Sequence, residues 1–558
     1  MDKDETKMQA ASGVTASNSP WRPFHRPVFL ALWIATLVAN TGTWIYNAAS
    51  GWLMTSLNSD PLIVSLVQVA TNLPMFLLAL PAGALADVID KRRFVVSIEI
   101  LMAIASACFA VLVTLGAANA VTLLAFMTLV GVLNALETPA WQAMVPMLVP
   151  KDELPAAISA NSIGFNVSRA IGPALAGLII GGVGLAAPFW LDAVSNAGVI
   201  AVLLLWPSSP KRPSTLPAER FTSALRAGFR YARNNPPLRA TLVRAIAFFL
   251  FASGYWALLP LVARDQIAGG PELYGLLLTA IGVGAIGGAL ALPALQETLA
   301  ADRVVAAGSL GTALALLLFA LARSPVFAIL ASLVAGGAWV AGVATLNVSA
   351  QLALPEWARG RGLAIYSMVF FGTMAVGSAL WGEGATIAGL SATLSVAAAG
   401  ATLAVPLSWR WKLVSGTGPD LTPSMHWPAP VVAGEMQTDA GPVMVTLEYK
   451  IAPENRAAFL ADLQRLERER RRDGAYAWGI YQDTAAPERF VETFFVESWL
   501  EHLRQHERVT NADRIFQDAI ERQDTEGPPL VRHFVAAEPD RLFGSPAADL
   551  PANGKSAT

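Results

Sequence analysis

Cysteine is nearly absent from this chain. Cys108 is the only one in 558 residues, so no intrachain disulfide is available and no cysteine pair can hold a metal. Lying inside an apolar run, it reads as a small buried side chain. Charge is scarce as well: 14% of residues are Asp, Glu, Lys or Arg, where soluble domains carry about a quarter. An ordinary water-soluble protein of this length is excluded. No GxxxxGK[ST] loop is present, so ATP drive lacks its phosphate cradle, and no HExxH motif offers a catalytic zinc. The first 20 residues are polar, lack the apolar core of a cleavable signal, and read as a disordered tail. A net charge of -2 leaves no basic excess for a nucleic-acid partner.

Apolar residues are what the chain has in quantity. They make up 54%, the mean hydropathy is +0.48, and 16 Trp tend to fall near the ends of apolar runs, as in an interfacial belt. A helix crosses the bilayer core with about 20 residues. That ruler predicts twelve spans, near 28–49, 62–84, 94–116, 119–142, 158–181, 186–206, 241–262, 273–295, 303–321, 325–350, 361–385 and 388–408. The fold expected is an all-α integral membrane protein of two six-helix bundles, 21–206 and 241–412, joined by a basic cytoplasmic linker, 207–240. The lipid bilayer is the first partner implied.

Lys and Arg concentrate on one side. They precede the first span, follow the second at Lys91, Arg92 and Arg93, crowd 207–240 and flank the last span, whereas Arg264 and Arg323 alone fall on the other side. Under the positive-inside rule both termini are cytoplasmic. The expected location is the bacterial inner membrane.

The halves repeat. Shifting the sequence by 205 residues places Gly83-Ala-Leu-Ala86 on Gly288-Ala-Leu-Ala291, and places Ser162, Phe165, Gly172, Leu175 and Gly177 on Ser367, Phe370, Gly377, Leu380 and Gly382. One register serves both, as expected for parallel repeats. The charges of Gly83 to Arg93 have no second copy. Read as a loop, this stretch uses Gly83 for close packing at a helix end, while Asp87 and Asp90 accept from helix N-terminal amides or from arginines. It is a candidate conformational latch.

With twelve spans, a six-plus-six repeat, a basic central linker and this loop after the second span, the chain resembles the major facilitator superfamily over residues 21–412. Gly83, Asp87 and Lys91 to Arg93 match the family's signature loop, and Asp90 looks like the enterobactin-exporter type. Arg233-Asn-Asn-Pro-Pro-Leu-Arg239 is similar to that group too. Gly164 with Gly172, Pro173 and Gly177 resembles an antiporter motif, with Ala176 in place of a usual glycine. The resemblance implies that Glu137 pairs with the loop's arginines and that Asp87 lies near Gly362.

Ionisable groups inside spans mark function or structural pairing. Arg169 is the deepest cation; it is expected to line a central cavity against an anionic substrate or an acidic residue, or else to be a structural ion pair. Asp192 and Glu383 are candidates to carry a coupling proton, although a solvated helix end suits Glu383. Glu99 and Glu137 are expected to form salt bridges with Arg92 or Arg93. Asn40, Trp44, Asn166 and Trp256 could supply polarity and stacking surface to the cavity, or else be interhelical hydrogen bonds and belt aromatics.

Composition changes after a Pro-, Gly- and Ser-rich linker, 413–440. Residues 441–537 read as a soluble α+β domain: strand 443–450, helix 453–472, strands 475–484 and 489–497, helix 498–520, strand 530–536. The βαββαβ order is ferredoxin-like and resembles antibiotic-biosynthesis monooxygenase domains, although no cofactor motif is visible. His502 and His506 share a helix face, but two histidines are too few for a metal, and none is expected. Arg465 to Arg472 read as a solvated helix face. Dimerisation or gating is the expected role of this domain, and 538–558 reads as a disordered tail.

The function expected is proton-coupled export, by alternating access, of an amphipathic small molecule such as a drug, siderophore or related metabolite. A uniporter or importer of the same fold, or a membrane-tethered sensor or monooxygenase-like tail, are the alternatives.

Overall fold

The computed structural model describes residues 21–206 and 229–537, apart from Lys151, Thr417, Ala429, Ala433, Glu435, Thr438 and Asp439 and the side chains of Ala84, Asp87 and Val88. Both expected terminal tails, and 207–228 of the basic linker, lie outside the described residues. Among the described residues twelve helical spans are long and apolar enough to cross a membrane: α1 (Pro27–Leu57), α2 (Pro61–Val88), α3 (Lys91–Thr114), α4 (Ala120–Met144), α5 (Leu154–Gly182), α6 (Ala187–Leu205), α7 (Pro236–Leu261), α8 (Pro271–Thr298), α9 (Ala301–Leu321), α10 (Pro325–Leu352), α11 (Glu356–Ala388) and the span Leu390–Arg410, in which α12 (Leu390–Leu403) is followed by the short helix Leu407–Arg410.

Local chemistry starts and stops them. Asp60 caps α2 by accepting from Leu62 N at 2.9 Å, and Asn119 with Thr122 forms a reciprocal capping box on α4. Only Gly389, at φ +82°, separates α11 from α12, a left-handed turn that glycine tolerates. Exposed apolar side chains recur at helical spacing: Leu30, Ile34 and Val38 on α1, and Leu310, Leu314, Leu317 and Leu321 on α9. In water such stripes would be a liability; in lipid they are the expected outer face. Cys108 is exposed on α3 in line with Leu101, Ile104 and Val111, so it belongs to that face and not to the interior as its sequence context suggested.

The sequence reading placed a loop from Gly83 to Arg93. Instead α2 runs on through Val88, leaving Ile89 and Asp90 as the connection to α3. Ala-Leu-Ala propagates a helix as readily in water as in lipid, so the charges mark the membrane boundary and not the helix end. Among the described residues Gly83 also has nothing within 4 Å of where a Cβ would stand, so the close packing expected of it is not found there.

Contacts divide the described residues into two compact units. The first holds α1–α6 with residues 245–345 and 367–408. In it α1 packs on α5 and α6, α2 on α4, α3 on α6, and α9 on α12. The repeat reappears as matched contacts between the halves: Gly177 on α5 abuts α8 at Pro271 and Glu272, while Gly382 on α11 abuts α2 at Leu62 and Ser65. At the same end Thr386 Oγ1 donates to Asp60 Oδ1 at 2.7 Å.

The second unit holds 229–244, 346–366 and 409–537. Its sheet contains β1 (Val443–Lys450), β2 (Tyr476–Gln482), β3 (Arg489–Val496) and β4 (Leu530–Val535), ordered β2-β3-β1-β4 with every pair antiparallel. Helices α13 (Arg456–Arg472), α14 (Trp499–Arg508) and α15 (Asn511–Glu521) complete the ferredoxin-like βαββαβ domain. Helix 498–520 of the sequence reading is two helices. Val509 is extended and Thr510 opens α15 through a capping box with Asp513, a T-x-x-D signal visible in the sequence.

Alternation along β1 and β3 buries Val443, Val445, Leu447, Phe490, Phe494 and Val496 against Phe459, Leu463 and Leu466 of α13. The arginine run on α13 is not wholly solvated. Arg470, 5% exposed, bonds Glu492, 0% exposed, at 3.1 Å, and Trp478 Nε1 and Tyr449 Oη donate to the same carboxylate. Arg472 bonds Asp513 at 2.7 Å. Arg470→Met should destabilise this domain by about 3–5 kcal/mol, because it strands a buried carboxylate; thermal unfolding unchanged from the parent would refute that.

Residues 420–430 are not a free tether. Ser424 N donates to Val509 O and Asn511 N to Thr422 O, and Trp427 lies 5.0 Å from the Arg470 guanidinium. The unit also holds helical residues 229–234 and the ends of α7, α10 and α11. Arg508 bonds Glu501 and stands 4.7 Å over the Trp357 ring, while Arg230 reaches Glu501 at 3.2 Å.

Candidate functional site

Arg169 lies midway along α5. Its guanidinium stands 5.7 Å from the ring centre of Trp44 on α1 and 5.7 Å from that of Trp256 on α7. No carboxylate among the described residues pairs with it. The acidic contact and the structural ion pair expected of Arg169 are therefore both absent, and aromatic faces take their place. Each cation–π contact is worth about 0.5–2 kcal/mol, more as water is excluded. The five N–H donors of the guanidinium remain for another acceptor.

With Asn47, Gln68, Pro173 and Tyr274, these residues line a cavity of about 50 Å³. Drug-sized ligands need about 300–1,000 Å³. Helices must separate before such a cargo could enter. Behind Trp256 the wall is aromatic: Trp339 meets it at 5.5 Å, and Phe370 packs on Trp339 and Phe249. A cation on one side and rings on the other suit an amphipathic anion.

Small residues make this juxtaposition. A Cβ on Gly172 would lie 3.2 Å from the Thr41 carbonyl, and one on Gly164 would meet the Trp33 indole at 3.3 Å. They seat α5 on α1. Gly177 does the same toward α8, so the glycine-proline motif serves helix approach around the cation.

Three carboxyl groups lie within the membrane spans of the first half. Asp192 is buried and accepts a hydrogen bond from Ser106 Oγ at 2.6 Å. Glu99, also buried, and Glu137 turn their carboxyl groups toward one another. Neither reaches Arg92 or Arg93, so the expected salt bridges, including the one implied for Glu137 by family resemblance, do not form. Arg92 instead donates to the Leu203 and Leu204 carbonyls at 2.6 and 2.8 Å, closing the end of α6, where carbonyls lack intrahelical partners.

The other sequence candidates fall elsewhere. Asp90 accepts from Arg93 N at 3.0 Å and caps α3, on which Lys91 is the first residue. The side chain of Asp87 lies outside the described residues. Asn166 is exposed and donates to the Ser162 carbonyl of its own helix; Glu383 is exposed on α11. Neither these two nor Asn40 lines the Arg169 cavity. Sequence reasoning missed Gln68, Asn47 and Tyr274, although a glutamine inside an apolar run was itself a signal. It also missed the facing of Glu99 and Glu137, which no spacing reveals. In the sheet domain His533 of β4 joins His502 and His506, a third histidine that the pattern on one helix could not supply.

The family described as transmembrane secretion effector matches residues 18–541. Among curated proteins, the multidrug efflux pump Tap of Mycolicibacterium fortuitum is 27% identical over 66% of this chain and 91% of its own. The enterobactin exporter EntS of Shigella boydii is 26% identical over 64% and 85%. The staphyloferrin A transporter of Staphylococcus aureus is 28% identical over 45% of this chain, and the match spans 63% of that relative's length. Among solved structures, the nucleoside transporter NupG superposes with a TM-score of 0.56 at 13% identity, over 69% of this chain and 98% of that one. That likeness speaks to the fold alone.

Proposed function

Because the chain belongs to the transmembrane secretion effector family of the major facilitator superfamily, and is thus a membrane transporter and not an enzyme, we propose that it exports an amphipathic organic anion in exchange for protons by alternating access. The observation that carries this reading is Arg169, a half-buried cation without a carboxylate partner among the described residues, held between two indoles at a cavity where both halves of the first unit meet. Relatives named for efflux of drugs and of enterobactin support the direction. A siderophore, a drug or a related acidic metabolite fits such a site. The basic flanks of the spans support a cytoplasmic location for both termini and for the sheet domain. The Asp60–Thr386 end would then face outward, and the inner membrane is the natural setting.

Coupling is assigned to the buried carboxyls. Asp192 has a serine hydroxyl for its only side-chain hydrogen-bond partner among the described residues, and Glu99 faces Glu137. Protonation there and cargo binding at Arg169 would compete through the packing of α1, α5 and α6.

In proteoliposomes with an imposed proton gradient, the parent should move cargo uphill. Asp192→Asn and Glu99→Gln should lose most uphill transport while retaining cargo binding and downhill exchange. Uphill transport at the parental rate in both variants would end the proton-coupling assignment. The expected latch function of Asp87 remains part of the proposal. Asp87→Asn should shift the balance of inward-open and outward-open states, with cargo affinity in each state little changed; cysteine labelling identical to the parent's would count against it.

A second reading concerns the tail, whose cavity of about 690 Å³ is of ligand-binding size. Deleting 413–558 separates the two readings. Proton-driven flux that survives favours the membrane unit as the transporter; flux lost from a folded truncation assigns the tail an obligatory part.

A further inference from the structure

The sheet-domain cavity lies between the sheet and its helices, walled by Val445 and Leu447 of β1, Phe494 of β3, Leu466 of α13 and Ile520 of α15. Three histidines converge on it. His502 and His506 are one turn apart on α14 and so share a face, and His533 comes across from the edge strand β4. Each presents a ring nitrogen, and the three nitrogens lie within 4.8 Å of one another. The His502 and His506 Nε2 atoms are 3.3 Å apart. A tetrahedral ion with Zn–N bonds of about 2.0–2.1 Å separates two ligand nitrogens by about 3.3–3.4 Å. Two of the three ligands already stand at that separation.

We propose that His502, His506 and His533 bind a divalent transition-metal ion of the zinc class, with three imidazole ligands and a fourth position open to the sheet-domain cavity.

The surroundings suit it. Gln505 turns its side chain toward His502, and His502 Nδ1 and Gln505 Oε1 are both buried with no hydrogen-bond partner among the described residues. A small rotation lets Nδ1–H donate to Gln505, which would fix the tautomer with Nε2 free for the metal.

His426 lines the same cavity but is already engaged: Nδ1 meets Ser424 Oγ at 2.7 Å and Nε2 meets Gln517 Oε1 at 3.2 Å. That leaves a three-ligand site, the arrangement of zinc centres that keep a coordination position open. Imidazole donors also suit nickel, copper and ferrous iron. Three neutral ligands leave the ion's full charge uncompensated, so the open position favours hydroxide or the anionic oxygen of a small molecule in the cavity.

The test uses the full-length protein in detergent, without a polyhistidine tag, stripped by chelator and dialysed at micromolar free Zn²⁺. The parent and His25→Ala should each retain one zinc per chain. His506→Gln and His533→Gln should each bind at least about 10-fold more weakly, since losing a ligand costs no less than losing its outer support. Cobalt(II) in place of zinc should show the intense visible absorption of a tetrahedral site in the parent, and lose it in His506→Gln. Failure of the parent to retain zinc, parental affinity in both glutamine variants, equal loss in His25→Ala, or a weak octahedral cobalt spectrum in the parent would each overturn the assignment. The cobalt spectrum is read on the parent, so the outcome holds even if a variant folds poorly.

Discussion

Arg169→Ala is expected to lower export of an anionic cargo at least about tenfold, with the protein folded and inserted as before. Hydrogen bonds to a charged group contribute about 1.5–3 kcal/mol, and every 1.4 kcal/mol is a factor of ten in affinity. The alanine variant loses that interaction and leaves Trp44 and Trp256 facing an empty space. Arg169→Lys is the sharper test. It keeps the charge but loses the planar guanidinium that lies over both rings, so it should restore little of the activity. Transport assays on both variants, with thermal unfolding to verify folding, decide the matter. Normal transport in both would remove Arg169 from the cargo site.

Gly177→Val should trap the two halves away from their closed arrangement at the Asp60 end. A Cβ at Gly177 would stand 2.7 Å from the Pro271 carbonyl oxygen and 3.1 Å from the Glu272 Cα. Both are backbone atoms, so no rotamer change relieves the clash. Overpacking of this kind costs about 1–3 kcal/mol, roughly a 5- to 150-fold loss in the population of the closed state. Transport should fall with it, because each cycle passes through that state. Gly83→Ala is the control, since no described residue stands near Gly83 to be displaced. Labelling of cysteines placed near Asp60 and Thr386, in a Cys108→Ser background, should rise in Gly177→Val and stay parental in Gly83→Ala. Parental labelling in both would refute the steric argument.

Several elements could be read before any coordinates, and the reason is that their signals are local. Twelve runs of apolar residues, each about as long as a bilayer core is thick, predict twelve helices wherever those helices pack. The alternation in 443–450 and 489–497 and the amphipathic stretch between them predict the βαββαβ order in the same way. Errors arose where a residue's type suggested a partner. Glu99 and Glu137 were expected to meet arginines because both sit near the inner ends of their spans, beside the basic loop, yet the rotation of α3 and α4 turns the two carboxyls toward each other. Gly83 was expected at a helix end because charges follow it, yet polarity alone does not end a helix. Arg470 and Arg472 lie in a run whose charge pattern suggests solvent, but carboxylates on β3 and α15 draw both inward.

The sequence by itself determined the solvent of each segment, the number and order of elements, and the repeat that relates the halves. Each of these follows from residues close in the chain and from the period at which they recur. Tertiary structure alone decided which side chains meet. Trp44, Arg169 and Trp256 come from three helices in two halves, and His533 joins His502 and His506 from an edge strand. Such meetings depend on how each element is rotated about its axis and at what depth it packs, and both are set by the fit of many small contacts that no single stretch of sequence contains.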